Sequence, residues 1–430
     1  MNISAWLKEQ RIAAEAYDAD NLLNDFLREM KRGLNGKPSS LAMIPAYINT
    51  CGTIPPNKST AVIDAGGTNL RICLAQFDEA GKVKLSHFCK RPMPGRDHEV
   101  TASEFYAVLT DALGPLKDQF EHIGFCFSYP AEITPNLDGR LIHWTKEIKI
   151  PQLVGQCIGA GLIQALETRG THDKKVVVLN DTVAALLAGM AQGQTFSASS
   201  YIGFILGTGT NTAYVEQDQN IGKLRGYQGS GAQVINIESG GFSAFERGPI
   251  DRQLDEQSGN PGGHLFEKTI SGVYMGDLAL ALLKALVAEG CFSASGGAGI
   301  RALTELSTIH IDNLTANNGH DIGPLGNECF TEEDRNVIRT VFRAVVDRAA
   351  LLTAVNILAA VVKSGAGHDP AHPVCINIDG STYYKTEGLA DRVQNYLSEM
   401  LKNRNLHIRC IQVEDAPIVG AAIAGLTAFN

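Results

Sequence analysis

In the stretch AVIDAGGTNLRICLAQF, Ala61 to Phe77, an aspartate, two glycines, a threonine, an asparagine and an arginine lie between two apolar runs. Glycines at Gly66 and Gly67 let backbone N–H groups point into a concavity with no Cβ in the way, and such amide nests take anions. Thr68 adds a hydroxyl, and Arg71 a guanidinium suited to phosphate oxygens. Asp64 cannot favourably meet a phosphate itself, so a magnesium ion or its water shell would have to stand between them. The same residues also suit a plain hairpin turn, in which Asp, Gly and Asn are favoured.

A second glycine- and threonine-rich turn, GTGTN at Gly207 to Asn211, offers Thr208, Gly209 and Asn211 and could oppose the first across a cleft. It is not a dinucleotide fingerprint, because a strand-like TAYVEQ follows where a G-x-G-x-x-G loop would open a helix. No G-x-x-x-x-G-K-[ST] occurs in the chain. If a nucleotide binds, it binds through two hairpins.

VVVLNDTVAALLAG delivers Asn180 and Asp181 to the start of a helix. Capping alone accounts for most such pairs. The chemical alternative is that Asp181 accepts the proton of a hydroxyl as it attacks phosphorus, a task for a carboxylate within hydrogen-bond reach. FSYP and HWTKEIKI supply Ser128, Thr145 and Lys146, while INIESGGF and NPGGHLFEK supply Glu238 and Glu267. These carboxylates would suit a polyhydroxyl ligand with many donors to satisfy, or they are solvated charges. INIDGSTYYKTEG repeats strand–Asp–Gly–Ser near the C terminus. The small residues of IVGAAIAGL allow close approach of a flat ring or close helix packing, with packing the stronger reading.

The elements that must position these groups read as α/β. Apolar strands (HIGFCF, KVVVL, CINID) alternate with amphipathic helices, and YIGFILGTGTNTAYVEQ repeats the outline of the opening stretch, which predicts two related α/β units with a ligand cleft between them. The expected division is 1–58 as a helical segment packing on the larger unit, 59–179 as a small α/β domain and 180–430 as a large one. Ile3 to Arg32 is expected as helix, and Cys291 to Phe330 as an irregular surface insertion.

With 430 residues, 44% of them hydrophobic, the chain has ample core. Its net charge of −9 excludes a general nucleic-acid binder. Nine cysteines without C-x-x-C or zinc-type spacing point to reduced thiols in a cytosol. No run approaches the roughly 18 apolar residues of a membrane span, and the N terminus lacks a signal-peptide core. The expected protein is cytoplasmic, without nucleic-acid or membrane partners.

Taken together, DAGGTNLRI, FSYP, WTK, LNDTVAALLAG, LGTGTN, INIESGGF, NPGGHLFEK and INIDGSTYYK resemble, in order and spacing, the eukaryotic-type hexokinase and glucokinase family, in a chain of the length of a bacterial single-unit member. The resemblance spans about Ser59 to Gly425. It implies two actin-like (ribonuclease H-like) domains with mixed sheets flanked by helices, and phosphorylation of a hexose 6-hydroxyl by ATP with magnesium. By motif, Asp181 looks like the general base, with Lys146 and Arg71 as further catalytic groups. Ser128, Pro130, Thr145, Lys146, Asn180, Gly209, Asn211, Glu238 and Glu267 are similar to the sugar ligands. Asp64, Gly66, Gly67, Thr68, Asn69, Arg71 and Thr208 resemble the phosphate side, and Gly380 with Ser381 the adenosine side. No residue is implied as a direct metal ligand; magnesium would come with ATP, through water near Asp64.

The chain departs from the family pattern at Ser239, where Trp is usual, at His264, where glutamine is common, and at Val273, where a lysine is often found. The Cys-rich zinc motif of bacterial ROK-type sugar kinases is absent. Two other readings stay open on the motifs: a non-catalytic sugar sensor on the same fold, which the intact Asp181 and Gly-Thr loops disfavour, and an actin- or chaperone-type ATPase, which the sugar-side residues disfavour.

Overall fold

The computed structural model describes residues 1–50, 52–145, 147–224 and 231–429. Its strands are β1 (Ile44–Asn49), β2 (Ser59–Ala65), β3 (Asn69–Phe77), β4 (Val83–Pro92), β5 (His122–Phe127), β6 (Ala131–Ile133), β7 (Gly139–Leu141), β8 (Lys175–Leu179), β9 (Ser200–Leu206), β10 (Thr210–Gln217), β11 (Ala232–Asn236), β12 (Val374–Asp379) and β13 (Ile408–Ile411). The helices are α1 (Ile3–Glu9), α2 (Ala19–Leu34), α3 (Ala102–Leu113), α4 (Ile158–Thr168), α5 (Asp181–Gly193), α6 (Pro249–Glu256), α7 (Glu267–Ile270), α8 (Gly272–Ala288), α9 (Ala294–Ala302), α10 (Thr308–Ala316), α11 (Glu332–Ser364), α12 (Ser381–Lys385), α13 (Leu389–Lys402) and α14 (Ala416–Thr427).

The repeat seen in the sequence is a repeat of topology. One sheet runs β4-β3-β2-β5-β8, and the other runs β11-β10-β9-β12-β13 with β1 added beyond β11. In each, an antiparallel hairpin (β2–β3, β9–β10) is followed by strands parallel to its first member (β5 and β8, β12 and β13). Strand period explains the near-continuous burial of β2 and β5. Ala61, Ile63, Ala65, Ile123, Phe125 and Phe127 point to a core shared with α3 and α4, whereas Val62 and Cys126 point to the opposite core, with α5 and α14. That second core also takes Ala213 and Val234 from the other sheet, so α5 and α14 lie between the two sheets. Each is the helix that follows the last strand of its own unit and packs on the sheet of the other, α5 on β9 and β12, α14 on β2 and β5.

Three expectations are corrected. Ile3 to Arg32 is not one helix: α1 ends at Glu9, Arg11 has a φ of 58°, and Asp18 starts α2 afresh by accepting from the Asn21 N–H at 2.9 Å. Segment 1–58 is not only helical either, since β1 pairs with β11, Ile44 opposite Asn236. Cys291 to Phe330 is largely helical, with Ile300, Ile311, Leu314 and Leu325 buried in the core around α11. Tertiary burial there overrides the poor helix propensity of SASGGAG.

α11 is, among the described residues, the one helix long and apolar enough to cross a membrane, and 89% of that apolar window is buried inside the protein. Arg348 on this helix is fully buried, donating to both carboxylate oxygens of Asp251 at 2.8 and 3.0 Å and to the Arg11 carbonyl at 2.9 Å. This pins the N-terminal segment to α11. Asp251→Ala leaves that guanidinium buried without a counter-ion and is expected to lower stability by about 3–5 kcal/mol, read by urea denaturation. A loss below about 1 kcal/mol would show the pair to be dispensable.

Candidate active site

The first hairpin places an ion pair by register alone. Asp64 on β2 faces Arg71 on β3, so Arg71 Nε donates to Asp64 Oδ2 at 2.6 Å. A second guanidinium nitrogen of Arg71 donates to Asp415 at the start of α14, at 2.8 Å. Burial pushes the Asp64 carboxyl above its ordinary value; Arg71 and the Cys126 thiol pull against that, and the charge of Asp181 adds to it. Arg71 is therefore engaged by two carboxylates in this structure rather than directed at an open phosphate pocket. Gly66 also departs from expectation, because its N–H donates to the Asn69 carbonyl at 3.1 Å and closes the turn. Gly67 and Thr68 have no backbone acceptor for their N–H groups among the described residues, and Thr68 stands exposed at the tip.

The second hairpin is closed by the Gly207 N–H on the Gly209 carbonyl at 2.8 Å and anchored below by the Thr382 hydroxyl and the Gly272 N–H, both donating to the Gly207 carbonyl. Thr208 is left exposed. Beside it, Gly380 has a φ of 116°, and a Cβ there would lie 2.2 Å from the Leu206 carbonyl oxygen, so only glycine fits before Ser381 opens α12. Asp379 accepts from the Gly380 N–H at 2.7 Å. Its carboxyl is also raised, first by burial, with Asp181 adding and Arg71 opposing. Asp64 and Asp415 thus pair with Arg71, whose charge also reaches Asp379, while the charge of Asp181 reaches Asp64 and Asp379. Such an excess of carboxylates at two phosphate-type loops fits a nucleotide that arrives with a divalent cation.

On the other side of Asp181 lies a polar network. Asn180 caps α5, its Oδ1 accepting from the Thr182 N–H at 2.8 Å, so the capping reading holds and leaves Asp181 at the helix N terminus. Asn211 Nδ2 donates to Asn236 Oδ1 at 2.8 Å and reaches Asn180 Oδ1 at 3.5 Å, and Asn236 Nδ2 donates to Glu238 Oε1 at 2.8 Å. Glu238 is held with a φ of 57°. Burial pushes its carboxyl up; the Asn236 amide opposes this, Asp181 and Glu267 add to it, and His264 opposes. Glu267 accepts from the Thr210 N–H at 2.9 Å, and a Cβ on Gly209 would lie 2.4 Å from its Oε2, so Gly209 is glycine to admit that carboxylate.

Ser128 enters from the first sheet, its N–H donating to the Ala65 carbonyl at 3.2 Å. A cavity lined by Phe127, Tyr129, Leu179, Asn180, Asn236 and Glu238 lies between the sheets at this point. Trp144 packs on Tyr129 with ring centroids 4.8 Å apart and so anchors the chain next to Thr145. Pro130 serves the turn, its carbonyl accepting from the Ile142 N–H at 2.9 Å. Lys146 lies outside the described residues. A roomier groove of about 760 Å³, between Phe196 and α13, holds none of these groups.

Motif reading missed Asp379, Asp415 and Asn236. Asp379 had a signal, since it ends INID as Asp64 ends the first strand of the other unit. IVGAAIAGL is packing rather than a ring platform: Ala416 and Ile418 to Leu426 are buried, with Gly420 against the Ala184 carbonyl.

Two Gly-Thr hairpins, a group of carboxylates beside them and a cavity whose otherwise largely apolar lining includes Asn180, Asn236 and Glu238, on a doubled mixed-sheet fold, are the features of an ATP-dependent sugar phosphotransferase of the two-lobed actin-like class. Residues 7–191 and 201–427 match the two sequence models of hexokinase. The chain is 30% identical to hexokinase-1 of Schizosaccharomyces pombe, over 93% of this chain and 85% of that one, and 29% identical to the glucokinase of Aspergillus niger, over 94% and 93%. The solved hexokinase of Schistosoma mansoni in complex with glucose shares the fold, with a TM-score of 0.79 at 23% identity and 98% of each chain covered. This chain belongs to the hexokinase family, and its class of reaction is ATP-dependent phosphorylation of a hexose.

Proposed function

We propose that the chain transfers the γ-phosphoryl group of magnesium ATP to the 6-hydroxyl of a hexose such as glucose, in the cytosol, with Asp181 as general base. The observation that carries this reading is the position of Asp181. It is the first residue of α5, directly after Asn180, whose side chain adjoins the Asn211–Asn236–Glu238 network, and its charge also reaches Asp64 and Asp379 beside the hairpins, so this carboxylate would border both substrates.

Asn180, Asn211, Glu238 and Glu267, with Ser128 and Thr145 from the other wall, would hold the sugar hydroxyls, and Lys146 is assigned to the same ring of ligands. The Gly67, Thr68 and Thr208 amides and hydroxyls would hold phosphate oxygens, Gly380 and Ser381 the adenosine, while Asn69 starts β3 and Arg71 fixes Asp64. Magnesium supplies neutralisation of phosphate charge when ATP is bound. The chain's task is in-line positioning, acceptance of the hydroxyl proton at Asp181 and exclusion of water. We take 59–179 as the small lobe and 180–430 as the large one, with α14 returning to the small-lobe sheet. Closure of the lobes on sugar about the α5–α14 core would suppress transfer to water.

A coupled assay with a panel of hexoses and nucleoside triphosphates tests this. ADP formation is expected only with sugar present. Binding without ADP would favour the sensor reading, and sugar-independent hydrolysis the ATPase reading.

A further inference from the structure

Beneath the amide network lies a ring of three side chains, of which the site motifs contain only Ser239. Asn356, in the middle of α11 and fully buried, donates from Nδ2 to Ser239 Oγ at 3.1 Å. Ser239 Oγ lies 3.1 Å from Thr212 Oγ1, and the Thr212 hydroxyl donates to Asn356 Oδ1 at 2.9 Å. With the Ser239 hydroxyl donating to Thr212, each hydroxyl gives one hydrogen bond and receives one. The ring closes in one direction and fixes the Asn356 amide.

The ring reaches the site through the backbone. Ser239 N–H and Thr212 N–H both donate to Asn211 Oδ1, at 3.2 and 2.7 Å. With its carbonyl taken by two backbone donors, Asn211 must turn its NH2 toward Asn236 and Asn180, and Asn236 in turn holds Glu238. Ser239 follows Glu238 directly, so the ring also ties down the strained residue at which the carboxylate is aimed. The hydroxyl of Ser239, where the resemblance expects Trp, is what lets the ring close.

We propose that Asn356 is a positioning residue for the sugar: through Ser239 and Thr212 it sets the orientation of the Asn211 amide and of Glu238. This rests on the hexose-binding reading of those two residues. Removing the ring leaves buried hydroxyls unpaired and lets the Asn211 amide and the Glu238 loop take other orientations.

The test uses the full chain and its Asn356→Leu and Thr212→Val variants, with hexose affinity read from the fluorescence of Trp144, steady-state kinetics for both substrates, and thermal unfolding. Both variants are expected to weaken hexose binding and raise the hexose KM about tenfold or more, with the KM for ATP within about twofold. A lowered melting temperature with unchanged hexose affinity would reduce the ring to packing and overturn the proposal. Should Asn356→Leu not fold, Thr212→Val, which is isosteric and opens the same ring, decides by the same readout. Wild-type protein that binds no hexose at all would instead refute the functional reading, which separates the two failures.

Discussion

Asp181→Asn is expected to keep hexose binding and to lose about 10²- to 10⁴-fold in kcat, the range a positioned general base supplies. The substitution preserves shape and leaves the Asn180 cap of α5 in place, so the fold is not expected to move. Under the proposed mechanism, what it removes is the acceptor for the sugar proton, the carboxylate at the first position of α5. Because the carboxylate's proton-accepting role appears only as the hydroxyl attacks, kcat and kcat/KM for hexose should fall together while affinity, read from Trp144 beside Tyr129, stays near wild type. Near-wild-type turnover would remove Asp181 from the role of base.

The second large effect is expected at Gly420. A Cβ there would lie 1.9 Å from the Ala184 carbonyl oxygen of α5, and where α14 meets β5 a Cβ on Gly124 would lie 1.8 Å from the Ala421 carbonyl oxygen. Helix α14 therefore meets α5 on one side and β5 on the other by backbone contact. The atoms in the way are main-chain atoms of buried elements, which cannot rotate aside. Gly420→Val is expected to destabilise by about 3 kcal/mol or more, or to leave the chain insoluble, because overpacking here separates the two helices that lie between the sheets. Gly114→Ala serves as the control: a Cβ at that position meets nothing within 4 Å, and its effect should stay within about 0.5 kcal/mol. Equal melting temperatures for Gly420→Val and wild type would refute the close packing.

The two Gly-Thr hairpins were legible because their signals are local. Asp64 and Arg71 pair across one turn, and Asn180 and Asp181 sit where a strand gives way to a helix. Gly66 shows the limit even at short range: its type suits an inward amide, but the turn itself uses that N–H. Arg71 shows it at long range, since its second partner, Asp415, lies 344 residues away.

The sequence by itself determined the alternation of strands and helices, the doubled unit, the two Gly-Thr hairpins and the carboxylate at the start of α5, because each is written in neighbouring residues with a period of 2 or 3.6. Only the tertiary structure decided that Asp379 and Asp415 join Asp64 and Asp181, that Cys291 to Phe330 folds into helices against α11, and that Asn356 closes a ring with Ser239 across 117 residues. The physical reason is the same in each case. Which distant side chains meet is set by sheet order and by the exchange of α5 and α14 between the two sheets, and neither leaves a periodic trace in the chain.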